Sequence, residues 1–519
     1  MKLVKNTSTV SFFILISRIL GFIRDMVMAN LVGVSALADA FFVAFKFPNL
    51  FRRLFAEGAL SAAFIPVFQQ VLHDQGEEKA WLFVSRVFSV LIFFLLPFVL
   101  LIQVFMPWVI PLLAPGFLED NAQYHAVVAY ARICFPYLLF MALLALITSV
   151  LNSYGRFAAG ASAPILLNVC LLITLFVFVP YFPDIGYALS WTVAFAGIVQ
   201  FLWAFIALKR YKKTRLQVIR PECKSKDKDI SKFMKLLGPS VLGAGITQIN
   251  ILVGTIFATL IPGGVSYLYY ADRLNQLPLA LIGIAMGMVL LPSLGKLHKE
   301  KRFLEAVKLQ NEALFFSMML ALPATFAFFV LGSSIVEALF QGGAFLAHDT
   351  RATVLTLKAY ALGLPAYILI KVLTPAFFAT SDTKTPMIMA FFSMIINVTL
   401  IPNFMAILDY VGIALATAVS AWFQVCFLAL AAYKRGFFTW ESQDVMRYVR
   451  LTISTFIMTG FVFWLQLLFW EAASGKALQV VILAGLVLAG VIMYFICLFV
   501  MGVSKESILR FVMARKRKL

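Results

Sequence analysis

Charge, histidine and cysteine are all scarce in this chain, and each shortage excludes something. Only 13% of the 519 residues are charged, while 62% are hydrophobic and mean hydropathy is +0.94. Such a composition excludes a soluble globular domain and points to a chain that crosses a membrane many times. Five cysteines without a CxxC pair exclude a disulfide framework and a thiolate metal site. Cys134, Cys170, Cys426 and Cys497 fall in apolar runs and read as packing residues, and Cys223 falls in a basic loop. His73, His125, His298 and His348 lack the spacing of metal ligands. A phosphate-binding glycine loop, a GxSxG elbow and paired catalytic carboxylates are missing as well. The sequence therefore predicts no enzyme, no cofactor, no metal site and no bound ATP. A cleavable signal peptide is not expected either, because Arg18, Arg24 and Asp25 interrupt the first apolar stretch.

What the chain does have is apolar length. Spans near 10–31, 36–66, 82–106, 127–150, 162–180, 186–208, 233–260, 265–292, 310–332, 353–378, 386–405, 411–433, 447–470 and 477–502 predict an all-α polytopic membrane protein of about fourteen transmembrane helices. The net charge of +19 sits in alternate loops: Lys209–Lys235, Lys296–Lys308, Lys434/Arg435, Arg447/Arg450 and Arg515–Lys518. That alternation places both termini in the cytoplasm and suits an anionic lipid surface rather than nucleic acid. His298–Asn311 reads as an amphipathic interfacial elbow, and Gly283 with Gly287 as a helix-packing pair.

The chain also repeats itself at an offset of about 226–229 residues. Gly186 to Arg210 mirrors Gly412 to Arg435; Pro136 and Asn168 match Pro365 and Asn397; Phe41, Asn49 and Pro66 match Tyr267, Asn275 and Pro292. Six helices per period, an even number, give two parallel six-helix lobes around a central cavity that rocks between the two membrane faces. The expected division is 1–219 for the N-terminal lobe, 220–232 for a basic linker, 233–437 for the C-terminal lobe, and 438–519 for a C-terminal helix pair and basic tail.

Within the apolar spans, charge is confined to stripes. Ser17, Arg18, Gly21, Arg24, Asp25 and Met28 fall within an arc of about 120° on one helix, and Phe12, Leu15, Ile19 and Ile23 lie outside it. Asp39, Lys46, Asn49, Arg53 and Glu57 occupy an arc of about 80° on the next helix, where Pro48 leaves the phase of Arg52 open. In the second lobe the matching helix carries Asp272 and Arg273. Each such charge costs about 2.5–3.5 kcal/mol to insert at mid-membrane, so the stripes line water or an internal network. Ion pairs such as Arg24–Asp39 are the structural alternative, and Arg52 and Arg53 can also snorkel to the interface. As a set, however, the cations outnumber the anions. That surplus fits an anionic ligand, and guanidinium forks match phosphate oxygens.

The run Ser17-Arg18-Ile-Leu-Gly21-Phe-Ile-Arg24-Asp25, the segment Ala38-Asp39 through Arg52-Arg53, and Phe55-Ala-Glu57-Gly58-Ala closely resemble the MurJ (MviN) family. Tyr269-Tyr-Ala-Asp272-Arg273-Leu, Leu291-Pro-Ser-Leu and Ala114-Pro-Gly-Phe117 extend the resemblance over essentially the full length. Members of that family are bacterial lipid II flippases of the multidrug/oligosaccharidyl-lipid/polysaccharide exporter superfamily. The resemblance implies an inner-membrane flippase that moves undecaprenyl-diphosphate-linked disaccharide-pentapeptide to the periplasmic leaflet by alternating access, for peptidoglycan biosynthesis. It implies that Arg18, Arg24, Arg52 and Arg273 face the cavity and hold the diphosphate. Ser17, Asp25, Asp39, Lys46, Asn49, Arg53, Glu57, Asp272 and Gln276 would then line or gate it, and the C-terminal helix pair would accept the polyprenyl tail. Gln276 departs from the family pattern, which often has an acidic residue there. The coupling ion is left open, membrane lipids and peptidoglycan-synthesis enzymes are the expected partners, and the alternatives are a flippase for another polyprenyl-diphosphate glycan, a cation-coupled drug exporter or a non-transporting envelope scaffold.

Overall fold

The computed structural model describes residues 2–54, 60–211, 218–219, 228–439, 442–471, 473 and 475–503. Sixteen α-helices follow one another: α1 (Lys2–Val32), α2 (Ala36–Leu54), α3 (Leu60–Gln75), α4 (Glu77–Leu113), α5 (Asn121–Cys134), α6 (Tyr137–Ser153), α7 (Ala158–Ile173), α8 (Ile185–Tyr211), α9 (Lys228–Ala258), α10 (Gly264–Pro278), α11 (Ala285–Lys299), α12 (Phe303–Leu339), α13 (Ala347–Ala379), α14 (Lys384–Lys434), α15 (Ser442–Phe469) and α16 (Lys476–Val500). The chain is all-α, as its apolar periodicity predicts. Among the described residues nine helices are long and apolar enough to cross a membrane, against the fourteen spans expected. Much of the difference has visible causes. Charges lower the apolarity of α1 and α2, and α14 joins two expected spans across a break at Asp409 (φ 47°). Phe94, Leu112, Phe176, Val481 and Leu488 are among many large apolar side chains left exposed, a surface suited to lipid.

The helices form two compact units, Met1–Ser266 and Tyr267–Leu519. In the first, α6 is the most enclosed element, with twelve of its residues buried. Gly186, at the start of α8, lies so close to Tyr130 that a Cβ would stand 2.3 Å from the ring. The Tyr130 hydroxyl donates to Asp184 (2.6 Å), fixing that corner. The Thr174 and Thr192 hydroxyls meet at 2.6 Å where α7 runs on into a π-helical turn against α8. Helix α9, assigned by sequence organisation to the second lobe, packs in this unit: Phe233 meets Phe64 and Phe83 edge-on at 6.4 Å.

In the second unit α13 is enclosed by α11, α12 and α14. Gly412 repeats the role of its sequence match Gly186, since a Cβ there would stand 2.3 Å from the Phe404 backbone. The C-terminal pair packs on α12 through Phe315, Met319, Leu451, Met458, Val462, Leu486 and Leu498. The Tyr494 hydroxyl donates to the Met319 carbonyl (2.6 Å) inside that cluster. Arg447 closes its end, bridging Glu312 (3.0 Å) and Asp444 (3.4 Å) over the Phe315 ring (4.1 Å). At the turn before α14, Asp382 caps the helix by accepting from the Lys384 and Thr385 amides (3.1 and 3.0 Å). Thr385 and the Arg435 guanidinium hold its carboxyl down at about 2. The stretch His298–Asn311 forms the end of α11, a turn at 300–302 and the start of α12.

Candidate functional site

The two faces of α1 meet different surroundings. Phe12, Leu15, Ile19 and Ile23 are exposed, whereas Arg24, Asp25 and Met28 are buried at 5%, 2% and 2% exposure. The Arg24, Asp25 and Met28 end of the stripe is thus turned into the protein and the apolar arc outward, the arrangement a helix in lipid requires. Arg24 donates from Nε and Nη2 to Asp25 Oδ1 (3.1 and 2.6 Å) and from Nη1 to Asn168 Oδ1 (2.9 Å). Asn168, on α7, returns its amide N–H to the Ser17 carbonyl (3.0 Å). Gly21 faces this crossing, where a Cβ would stand 3.4 Å from the Asn168 amide nitrogen. Ser17, Arg24, Asp25 and Asn168 therefore form one polar seam between α1 and α7. Arg18, one turn away, remains exposed and has no ion pair among the described residues.

On α2 the carboxylate of Asp39 is 1% exposed and accepts from the Gly263 amide (3.0 Å), the Ser266 amide (2.9 Å) and the Ser266 hydroxyl (2.5 Å). Those donors belong to the first turn of α10 and the turn before it. Asp39 thus caps the N-terminus of α10 from another helix. The Arg24–Asp39 ion pair weighed from sequence does not form, because each residue has its own partners. Arg52 donates from Nε to Asn49 Oδ1 (2.6 Å), one turn back on the same helix. Lys46 and Arg53 are half-buried. Glu57 lies outside the described residues, as do linker residues 220–227 and the basic tail beyond residue 503.

In the second unit Arg273 donates to the Tyr269 hydroxyl (3.0 Å) and stacks its guanidinium over that ring at 4.8 Å. Asp272 accepts a hydrogen bond from Gln276. The amide thus stays within one turn of the carboxylate. No group of metal-ligating side chains is present among the described residues.

Two participants were not singled out from sequence as site residues. Asn168 carried a signal, its match to Asn397 across the repeat, and both are buried. Ser266 carried none, because a serine at a helix start is too common to stand out.

A family model described as lipid II flippase MurJ matches residues 28–483. A probable lipid II flippase MurJ of Rhizobium meliloti (strain 1021) is 39% identical, over 98% of this chain and 96% of its own. The lipid II flippase MurJ of Burkholderia cenocepacia is 32% identical, over 97% and 98%. A solved structure of lipid II flippase MurJ in an inward closed conformation superposes with a TM-score of 0.80 at 25% identity, covering 97% of this chain and 99% of its own. An inward-facing multidrug resistance MATE family transporter of the MOP superfamily shares the fold at a TM-score of 0.67 and 13% identity, over 81% of this chain and 94% of its own.

Proposed function

The chain belongs to the lipid II flippase MurJ family, and from that membership we propose that it carries lipid II across the bacterial inner membrane for peptidoglycan biosynthesis. The substrate is undecaprenyl diphosphate bearing a disaccharide-pentapeptide, and it moves from the cytoplasmic to the periplasmic leaflet. The observation that carries this reading is the family match over residues 28–483, which takes in both charged helices α2 and α10 and most of the chain. Arg18, Arg24, Arg52 and Arg273 supply guanidinium groups at membrane depth, and planar forks of this kind suit diphosphate oxygens. Alternating exposure of these cations to the two membrane faces lets the headgroup cross while the polyprenyl chain stays in lipid beside α15 and α16. Both termini are cytoplasmic in this reading, which rests on the basic loops. The chemistry asked of the protein is binding and release, so no cofactor is needed. Membrane lipids surround the chain, and enzymes of peptidoglycan synthesis are its proposed protein partners.

The test is reconstitution. Liposomes containing the purified protein and labelled lipid II, with a membrane potential of either sign, should make inner-leaflet lipid II available to an outside reagent. The rate should exceed that of protein-free vesicles at least tenfold. Equal rates with and without protein under both polarities would overturn the proposal.

A further inference from the structure

The sequence counts cations on α1, α2 and α10 but passes over the two lysines of α13, Lys358 and Lys371. Lys371 lies inside the apolar run 353–378, in a helix otherwise rich in buried alanine, leucine and threonine. Its side chain is exposed, and its stem lies against the turn between α10 and α11. Helix phase says which side this is. Tyr360, Tyr367 and Lys371 fall within about 40° of one another, while the exposed Leu355 and Leu362 lie on the opposite side, about 180° away. Lys371 therefore sits away from Leu355 and Leu362, on the phase it shares with Tyr360, Tyr367 and the exposed Phe378.

Its neighbours come from the segment that carries Arg273. Between α10 and α11 the chain forms a π-helical turn at 279–284, the kind of irregularity that recurs at functional sites. A Cβ at Gly283 would stand 3.4 Å from Lys371 Cγ, and one at Gly287 would stand 3.3 Å from the Lys371 carbonyl. These contacts set the π turn and α11 against the lysine stem and backbone. Further along the same seam, the Asp272 carboxylate is within electrostatic reach of Tyr360 and Tyr367. Lys371 itself has no ion pair among the described residues.

The internal repeat supplies an independent argument. The offset of 229 residues that aligns Pro136 with Pro365 places Ala142 opposite Lys371, and Ala142 is fully buried. The same structural position thus folds without a charge in the first unit. Folding does not require this lysine, and a cation in a membrane span carries an insertion cost that packing does not offset.

We propose that Lys371 is a further substrate contact, its ammonium taking an anionic group of the lipid-linked headgroup, either the diphosphate or a peptide carboxylate. This rests on the lipid II reading above. A flexible stem with three rotatable donors suits a group that shifts during transport better than a fixed fork does.

The full-length protein in nanodiscs, titrated at low salt with lipid II and separately with undecaprenyl diphosphate, tests this. Lys371→Met and Lys371→Gln should each weaken binding about tenfold, while Lys371→Arg should stay within about threefold of wild type. Loss with both lipids assigns the contact to the diphosphate, and loss with lipid II alone assigns it to a peptide carboxylate. Both neutral variants should unfold no earlier than wild type on heating, because the exposed ammonium makes no ion pair among the described residues. Wild-type affinity of a neutral variant for both lipids would overturn the proposal. Failure of the wild-type protein to bind either lipid would instead strike the transport reading itself.

Discussion

Arg24→Ala should abolish growth support in a strain depleted of its own flippase and lower the stability of the first unit by about 3–5 kcal/mol. The stability loss follows from what is left behind. Arg24 is 5% exposed and bonds Asp25 and Asn168 together, so its removal takes the guanidinium away from a buried carboxylate. Removing the carboxylate too should be far milder, because taking away both partners of a buried pair leaves no carboxylate without its guanidinium. The double variant Arg24→Ala/Asp25→Ala should therefore recover most of the thermal midpoint yet still fail to support growth. That combination separates the two jobs of Arg24: a structural tie of α1 to α7, and a cation for the substrate. Growth restored along with stability in the double variant would show that Arg24 is only a tie.

Asp39→Ala should release the start of α10. Three donors converge on that carboxylate, two backbone amides and one hydroxyl, and at 1% exposure water does not replace it. Orphaning buried donors that had bonded a charged acceptor costs about 3 kcal/mol. Expressed as local opening, that is about a hundredfold faster hydrogen exchange at the Gly263 and Ser266 amides. Asp39→Asn keeps one acceptor oxygen and should fall between wild type and alanine. Transport should follow the same order, because α10 carries Arg273 and its first turn sets where that guanidinium stands. Unchanged exchange at both amides in the alanine variant would contradict the capping role.

The legible part of this molecule was its one-dimensional pattern. Apolar length announced the all-α membrane fold, and of the arc drawn on α1, Arg24, Asp25 and Met28 are buried while Arg18 is exposed. Gly186 and Gly412, matched only as letters in a repeat, prove to be matched as close approaches. Partner choice was less legible. Arg24 and Asp39 were the natural opposite charges on adjacent helices, but the nearest acceptors for Arg24 are its neighbour Asp25 and an asparagine 144 positions away. Asp39 instead serves backbone amides, which no side-chain inventory can display. Lys371 escaped notice because two lysines, Lys358 and Lys371, hardly change the hydropathy of a long span. Its significance depends on Gly283 and Gly287 lying against it, a fact of three dimensions.

The central claim concerns movement of lipid II between leaflets, and the measurement that addresses it most directly is made in cells. With this protein depleted and no redundant flippase present, the fraction of lipid II open to an extracellular cleaving reagent should fall several-fold while total lipid II rises. Re-expression of wild type, but not of Arg18→Ala or Arg273→Ala, should restore it. Lipid II that still reaches the outer leaflet at the normal rate after depletion would contradict the account.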